Sequence, residues 1–217
     1  MKAATKFWNN NKIVKEFKNA DAQSYWVEYF AKIENKEKVT VLDLGCGGGR
    51  YTEMLAKMGF TVFSFDLHRG MVQQTKERIR LLKNLKTKPI ILQAEMTNMP
   101  FENEKFDIIL SNGVFHNADR LSNLEKGLTE TARTLKASGI LCLNMFYDGG
   151  NNTLLKKNKG KYAYTTKDGL PMVLLPLENL ITLMSKYGLE KFGKTVVYTR
   201  DMEVGTRDVV RGVFKKI

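Results

Sequence analysis

Residues 41–50 read VLDLGCGGGR, and this stretch decides the fold. An apolar, strand-like run ends at Leu44 and passes directly into glycines, after which residues 50–58 show a helical pattern. A strand–glycine–helix turn presents bare backbone N–H groups at a helix N-terminus, where a ligand can approach closely and negative charge is favoured. The sequence therefore predicts a cofactor-binding loop over residues 45–49.

The glycine spacing separates two classes of cofactor. The dinucleotide fingerprint G-x-G-x-x-G would place its third glycine where Arg50 stands, which makes a nicotinamide oxidoreductase a poor fit. Asp66 ends the next strand-like run, one βα unit downstream. A carboxylate at that position can accept hydrogen bonds from both ribose hydroxyls of an adenosine-containing ligand.

The rest of the chain alternates strand-like and helical segments. Apolar runs cover residues 39–44, 61–66, 89–94, 106–112 and 139–146, and helical patterns cover 50–58, 69–84 and 119–136. Strands that are apolar at nearly every position are usually covered on both faces, which is typical of a parallel sheet between helices. Later segments predict a helix over 175–190, ending at Gly188, and an antiparallel pair of strands over 194–201 and 207–217.

These segments predict a single domain over residues 1–217, built in three parts. Residues 1–38 have an amphipathic, aromatic-rich helical pattern and are expected to form an N-terminal cover. Residues 39–149 are expected to be the cofactor-binding core, and residues 150–217 a substrate segment followed by the closing strands.

Charge and cysteine content narrow the functional classes. Of the formal net charge of +12, most lies in residues 151–217, which carry 13 basic and 6 acidic side chains. A basic face attracts nucleic acid or an anionic small substrate, although a solvated lysine-rich surface explains the same excess. No apolar run approaches the roughly 18–20 residues that span a bilayer, and the first residues lack a secretory pattern. Cys46 and Cys142 form neither a disulfide framework nor a zinc pattern, so a cytoplasmic protein without a metal site or a membrane partner is expected.

Four motifs in order resemble those of the class I S-adenosylmethionine-dependent methyltransferases. They are VLDLGCGGGRYTEMLAKMG (41–59), VFSFDLHRGMV (62–72), AEMTNMPFENEKFDIILSNGVFHN (94–117) and LKASGILCLNMF (135–146). The resemblance implies S-adenosylmethionine as cofactor and a Rossmann-like, doubly wound α/β fold. That fold has a seven-stranded sheet, mostly parallel with an antiparallel C-terminal strand, and helices on both faces. One departure is Glu95, where the family commonly has Asp.

Carried over residue by residue, the resemblance also implies a set of cofactor contacts. Its members are Asp43, Gly45, Cys46, Gly47, Asp66, Leu67, Met71, Glu95, Met96, Ser111 and Asn112. The glycine loop would contact the methionine part and the ribose through its backbone, and Asp43 would orient that loop or a water near the amino group. Asp66 would bind the ribose.

The remaining members of the set surround the two ends of the cofactor. Leu67 and Met71 would pack on the adenine, which Glu95 and Met96 would frame. Ser111 and Asn112 would lie near the methionine amino group. Tyr25, in the N-terminal cover, is the expected lid contact.

His116 is the candidate catalytic residue, because it follows the fourth strand and is expected to face the site. Methyl transfer from a sulfonium is an in-line displacement that depends mainly on positioning, and a general base is needed only if the acceptor must lose a proton. The alternative for His116 is a polar residue that opens the next helix.

The sequence favours a methyltransferase that acts on an oxygen or a nitrogen of a small molecule. Residues 147–178 would supply the acceptor contacts, and their lysines suit an anionic or sugar-like acceptor. An RNA methyltransferase that uses the basic C-terminal third is the alternative, although no RNA-binding module is recognisable and residues 111–114 read SNGV rather than an NPPY-like motif. A cofactor-binding protein without catalysis is a further alternative, and the oligomeric state is left open.

Overall fold

The computed structural model describes Trp8 and residues 10–217. Residues 1–7 and 9, which belong to the expected N-terminal cover, lie outside the described residues. Within them the α-helices are α1 (Asn11–Lys18), α2 (Ser24–Ala31), α3 (Arg50–Met58), α4 (Arg69–Arg80), α5 (Leu121–Thr134) and α6 (Leu177–Lys186). Short 3-10 helices cover Lys36–Lys38 and Phe115–Asn117.

Eleven strands occur in the described part of the chain. They are β1 (Thr40–Leu44), β2 (Thr61–Asp66), β3 (Ile90–Gln93), β4 (Phe106–Asn112), β5 (Leu135–Phe146), β6 (Leu155–Lys157), β7 (Ala163–Thr166), β8 (Pro171–Val173), β9 (Leu189–Lys191), β10 (Val196–Arg200) and β11 (Arg207–Lys216).

The main sheet has the order β10-β11-β5-β4-β1-β2-β3. Strands β1 to β5 pair in parallel, and β11 pairs antiparallel with both β5 and β10. The short β9 adds an eighth strand, antiparallel to the far end of β11. The predicted α/β fold, mostly parallel with an antiparallel C-terminal strand, is confirmed.

Two hydrophobic cores lie on opposite faces of this sheet, because successive strand residues point to opposite sides. On one face, Trp26 and Phe30 of α2 are fully buried with Val41 of β1 and with α3. On the other face, Leu42 of β1 packs in a core with Leu128 of α5, and α6 belongs to the same core. Full burial of a large apolar side chain contributes about 1.5–3 kcal/mol, so each face holds its helices firmly.

The substrate segment contains an element that the sequence did not predict. Strands β6, β7 and β8 form a separate antiparallel sheet of three strands. Each strand has only three or four residues, and the first strand is mainly basic. The sequence therefore shows no alternating apolar pattern that would predict these strands. This sheet is formed by the segment between β5 and α6, and it lies beside Phe115–Asn117.

Several predicted boundaries differ from the structure, and the helix expected over 69–84 ends at Arg80. The helix expected over 119–136 spans Leu121–Thr134, and β5 starts at Leu135 rather than at 139. The helix expected over 175–190 spans Leu177–Lys186 and is followed by β9. Gly188, with φ of 71°, is the turn residue between α6 and β9, and its left-handed backbone explains why it ended the helical pattern.

Candidate functional site: a cofactor loop and its aromatic cover

The glycine loop is folded tightly at the carboxyl end of β1. Gly45, Gly47 and Gly49 have φ of 71°, 54° and 83°, which is the left-handed region that side chains rarely adopt. A Cβ added to Gly45 would overlap the side chain of Val114, which follows β4. The turn therefore needs glycine both for its backbone angles and for its contact with the neighbouring strand.

Asp66 holds this loop from the end of β2. The Gly47 N–H donates to Asp66 Oδ2 at 3.0 Å, and the His68 N–H donates to Oδ1 at 2.8 Å. Asp66 is 9% exposed, and desolvation raises the pKa of its carboxyl above the usual range. Each carboxylate oxygen has a second lone pair, so Asp66 can still accept hydroxyl hydrogen bonds.

Thr75 of α4 contacts two residues of the glycine loop. The Thr75 hydroxyl of α4 donates to the Gly47 carbonyl at 2.7 Å, and the Cys46 thiol lies 3.5 Å from the same hydroxyl. Burial raises the pKa of the Cys46 thiol well above its usual value, so this side chain is a neutral packing group. Its backbone is also paired within the protein, because the Cys46 N–H donates to the Phe65 carbonyl at 2.9 Å and the Gly49 N–H donates to the Cys46 carbonyl at 2.9 Å.

Asp43 is buried beneath the loop, with 1% of its side chain exposed. The Thr52 hydroxyl donates to Asp43 Oδ2 at 2.6 Å. Desolvation raises the pKa of this carboxyl to about 6, against the opposing effect of the Thr52 hydrogen bond. Asp43 is thus tied to the first turn of α3, which begins at Arg50.

Aromatic residues from the N-terminal part of the chain cover the loop. Phe17 of α1 lies so close that a Cβ on Gly47 would be 3.1 Å from its ring, and a Cβ on Gly48 would overlap its carbonyl oxygen. Trp8 meets Phe17 edge to face at 5.6 Å and stacks on His68 at 6.2 Å between ring centroids. The glycine loop and His68, two residues after Asp66, are therefore under one aromatic cluster.

The residues expected around the adenine are spread over two elements. Leu67 is 51% exposed at the sheet edge, whereas Met71 of α4 is buried. Glu95 is exposed and forms a β-bridge with Asn98, and Met96 packs against Gly127 of α5. The structure thus brings Leu67 and Glu95 to the surface of the same edge, with Met71 and Met96 packed behind.

At the carboxyl end of β4 the side chains are polar. The Ser111 hydroxyl is buried and has no hydrogen-bond partner among the described residues. Asn112 Oδ1 accepts a hydrogen bond of 3.1 Å from the indole N–H of Trp26. Tyr25, the neighbouring residue of α2, is directed toward β11, where its ring lies 3.8 Å from the Arg211 guanidinium.

The His116 side chain is buried rather than exposed to solvent. It is 3% exposed, its ring stacks on Phe146 at 4.1 Å, and its Nδ1 accepts the Phe146 N–H at 3.1 Å. Desolvation, with the charge of Arg207, lowers the pKa of His116 to about 3. The imidazole is therefore neutral at ordinary pH, with its proton on Nε2. This arrangement does not favour the predicted role as a base, because the lone pair of Nδ1 is already used.

Several polar residues of the C-terminal part meet at the same edge of the sheet and were missed by the sequence reasoning. Asp208 is 1% exposed and accepts from the Asn151 N–H at 2.8 Å. The Tyr164 hydroxyl donates to Asp148 at 2.8 Å. Tyr198 accepts from Asn144 at 3.2 Å. The only sequence signal was the alternation in RDVVRGVF (207–214), which places every second residue on one face.

The residues present fit S-adenosylmethionine. The buried hydroxyls of Ser64 and Ser111 lack partners among the described residues, and the carboxylates of Asp43 and Asp66 keep unused acceptor capacity. A ligand with two ribose hydroxyls, an amino group and a positive sulfonium would satisfy such groups, because negative charge nearby favours a cation. The specific contacts of the predicted set stay predictions.

Comparison with known families agrees with this geometry. Residues 42–143 match the sequence profile of the family described as "Methyltransferase domain". The matched range runs from β1 through most of β5 and includes the glycine loop, Asp66 and Ser111.

Two curated relatives illustrate the sequence similarity. The uncharacterized methyltransferase YodH of Bacillus subtilis is 33% identical over 101 residues, which are 46% of this chain and 40% of that protein. A malonyl-[acyl-carrier protein] O-methyltransferase of Buchnera aphidicola is 22% identical over 198 residues, covering 83% of this chain and 76% of its own length. The chain thus spans about two fifths of the length of YodH.

Solved structures share the fold at low sequence identity. A S-adenosylmethionine-dependent methyltransferase of Methanosarcina mazei has a TM-score of 0.72 at 16% identity, with 91% of this chain and 99% of that chain covered. A 1,6-didemethyltoxoflavin-N1-methyltransferase of Burkholderia thailandensis, solved with its substrate and S-adenosylhomocysteine, has a TM-score of 0.64 at 14% identity, with 97% and 80% covered.

Residues 42–143 thus have the sequence profile of a methyltransferase domain, and the chain shares its fold with a solved S-adenosylmethionine-dependent methyltransferase. In the part of the chain that the structure describes, no helix has both the length and the apolar character to cross a bilayer.

Proposed function

We propose that this chain transfers the methyl group of S-adenosylmethionine to an oxygen or a nitrogen of a small-molecule acceptor. The observation that carries the proposal is the glycine loop held by Asp66, with unpartnered hydroxyls beside it at the carboxyl end of the parallel strands. Ligands of open α/β sheets bind at this end. Relatives whose names specify small or carrier-bound acceptors support the acceptor class.

When bound, S-adenosylmethionine supplies an activated methyl group on a positively charged sulfur. The chain's own part is to bind and orient. Asp66 and the loop would hold the ribose, and Ser111 with Asn112 would place the methionine end at β4. Positioning of this kind can supply much of the rate of an in-line displacement.

Exclusion of water is the second contribution of the chain. Trp26 is fully buried and donates to Asn112, and Phe17 lies over the glycine loop. A site closed by aromatic side chains has a low dielectric, which strengthens the interactions between charges inside it.

His116 would contribute through its Nε2 proton. Because Nδ1 accepts the Phe146 N–H, the Nε2–H is available to donate to an acceptor oxygen or nitrogen near the end of β5. We propose that it positions the acceptor and that the proton released by the acceptor passes to another group or to water.

The test follows a labelled methyl group from S-adenosylmethionine into fractions of a cell extract. Label in a small-molecule fraction, lost with an Asp66→Ala variant, is the expected result. Label that appears only in a ribonuclease-sensitive fraction would overturn the small-molecule acceptor and assign the basic residues 151–217 to RNA.

A further inference from the structure

Arg211 occupies a distinctive position on β11. Its strand neighbours in register are Asn144 of β5 and Val196 of β10. Residues in register on adjacent strands share a face of the sheet, and this face carries the aromatic side chains of α2. Arg211 is therefore on the side of the sheet that the N-terminal helices cover, near the carboxyl end of the parallel strands.

Two tyrosines hold the flat faces of the Arg211 guanidinium. Its central carbon lies 3.8 Å from the ring centroid of Tyr25 and 5.3 Å from that of Tyr198. Tyr198 is itself fixed, because its hydroxyl accepts a hydrogen bond of 3.2 Å from Asn144. Cation–π contacts of this kind orient a guanidinium but leave its N–H edge unused.

The N–H edge of Arg211 has no hydrogen-bond or ion-pair partner among Trp8 and residues 10–217. Its Nε is buried without a hydrogen bond, and none of the ion pairs between described residues involves Arg211. Arg133 and Arg207 differ from Arg211 in that their terminal nitrogens have protein partners, while the Nε of Arg207 is also unpaired among the described residues. Arg133 pairs with Glu130, and the buried Arg207 donates to the carbonyls of Thr153, Val204 and Thr206. A half-buried, oriented guanidinium with open donors is suited to a planar anion.

A second unsatisfied group lies close by. The Tyr51 hydroxyl, in the first turn of α3, is buried without a partner among the described residues. Burial raises the pKa of the Tyr51 hydroxyl, and Tyr198 adds a smaller contribution in the same direction, which indicates that the two side chains are near each other. The Tyr51 hydroxyl is therefore a second buried polar group near Tyr198.

The register of the sheet relates this cluster to the cofactor loop. Asn112 of β4 is opposite Asn144, and Asn144 is opposite Arg211. Adjacent strands are about 4.8 Å apart, so the backbone of Arg211 lies about 10 Å from that of Asn112 along one row. Asn112 follows Ser111, which pairs with Leu44, the last residue before the glycine loop. This row of paired residues across the sheet therefore connects the end of β4, where the methyl donor is proposed to bind, with Arg211.

From this arrangement we infer that Arg211, held between Tyr25 and Tyr198, binds an oxyanion of the methyl acceptor, a carboxylate or a phosphate. The inference rests on the proposed function, which it deepens. The acceptor is then a small anion whose charged group is bound at β11, two strands away from β4, where the methionine end of the cofactor is proposed to lie. The charged group is a recognition element and stays unmethylated.

Direct binding tests the site without turnover. The protein, saturated with S-adenosylhomocysteine, is titrated calorimetrically with benzoate, with phenyl phosphate and with benzamide as the uncharged counterpart. Benzoate or phenyl phosphate is expected to bind at least tenfold more tightly than benzamide, and their ranking identifies the carboxylate or the phosphate as the preferred group. Equal affinities for all three would overturn the proposal.

Three variants localise the binding. Arg211→Met is expected to lose at least tenfold in anion affinity, and Arg211→Lys to recover part of it, because a lysine keeps the charge without the planar pair of donors. Arg200→Met is the matched control, since Arg200 is an exposed arginine of the adjacent strand β10. Unchanged affinity for S-adenosylhomocysteine shows that each variant is folded. Equal losses in the Arg200 and Arg211 variants would overturn the proposal.

Two further arms separate this inference from the proposed function. A twelve-nucleotide single-stranded RNA that binds in an Arg211-dependent way, where benzoate and phenyl phosphate do not bind, would replace the small anion by an RNA phosphate.

In the labelled-methyl assay, label in extract compounds that an anion-exchange resin retains should fall at least tenfold with Arg211→Met. Full labelling with that variant would overturn the anion site while leaving methyl transfer intact. Anion binding that depends on Arg211, without label in any fraction, would instead remove the proposed function alone.

Discussion

The Gly47 N–H donates to Asp66 Oδ2 at 3.0 Å, so the residue expected to bind the ribose also holds the glycine loop. One carboxylate thus links the ends of two adjacent parallel strands. A change at this residue affects both the ligand contact and the shape of the loop that receives it.

Asp66→Ala should weaken S-adenosylhomocysteine binding strongly. Hydrogen bonds to a charged group contribute about 1.5–3 kcal/mol, so loss of the ribose contact should cost about 3 kcal/mol, or roughly a hundredfold in Kd. Calorimetric titration measures the change. Asp168→Ala, at an exposed aspartate in the turn between β7 and β8, is the control and should leave Kd unchanged. Equal affinity in the Asp66 variant would place the ribose elsewhere.

Gly48→Ala should displace α1 from the glycine loop. The new Cβ would overlap the backbone carbonyl of Phe17, which cannot rotate away as a flexible side chain would. Hydrogen exchange of the amides of Asn11–Lys18 should accelerate, while exchange in β5 stays slow. Phe17→Ala removes only the ring and serves for comparison, because it leaves that carbonyl in place. Unaltered exchange of α1 in the Gly48 variant would contradict the tight contact.

Stability below neutral pH should depend on His116. Burial lowers its pKa to about 3, whereas the unfolded residue titrates near 6.5, so the unfolded state binds more protons between these values. The free energy of unfolding should therefore fall as pH decreases through this window, by about 1.4 kcal/mol per unit. Urea unfolding at pH 6.5 and 4.5 should show a loss about 2–3 kcal/mol larger in the wild type than in His116→Gln. Parallel losses in both proteins would mean that His116 is protonated in the folded state.

The carboxyl of Asp43 should make the free energy of unfolding depend on pH in the opposite direction. Its pKa is raised to about 6, so the folded protein keeps a proton that the unfolded chain releases near 3.9. Stability is then reduced as pH rises from about 4 to 6, by up to about 3 kcal/mol. Asp43→Asn, which can still accept the Thr52 hydroxyl, should unfold at higher urea than the wild type at pH 7 and at similar urea at pH 4. A variant that is less stable at both values would contradict the raised pKa.

How much of this could be predicted from the sequence depends on the range of the interactions involved. The glycine loop and Asp66 were predictable, because a strand, a glycine turn and a helix are defined by consecutive residues and the acid follows one βα unit later. The strands β6 to β8 were not, since strands of three or four residues are too short to show a period.

The environments of His116 and Arg211 depend on contacts far along the chain. His116 follows β4, and its position predicted a residue that faces the site. Its hydrogen bond comes from Phe146 at the end of β5, 30 residues away. Arg211 meets Tyr25 only because β11 enters the sheet antiparallel to β5, beneath α2. No local pattern in the sequence contains such information, and only the register of the assembled sheet provides it.

The insertion of β11 between β10 and β5 also has a consequence during synthesis on the ribosome. Strand β5 carries the fully buried Leu141 and Leu143, and one of its two edges is paired only by residues 209–215. Until those residues leave the exit tunnel, a nascent chain that has already formed the five parallel strands presents β5 as an open, apolar edge. Such edges recruit other strands and promote aggregation. The emerging chain should therefore depend on ribosome-associated chaperones until β11 has left the exit tunnel, whatever the stability of the finished fold.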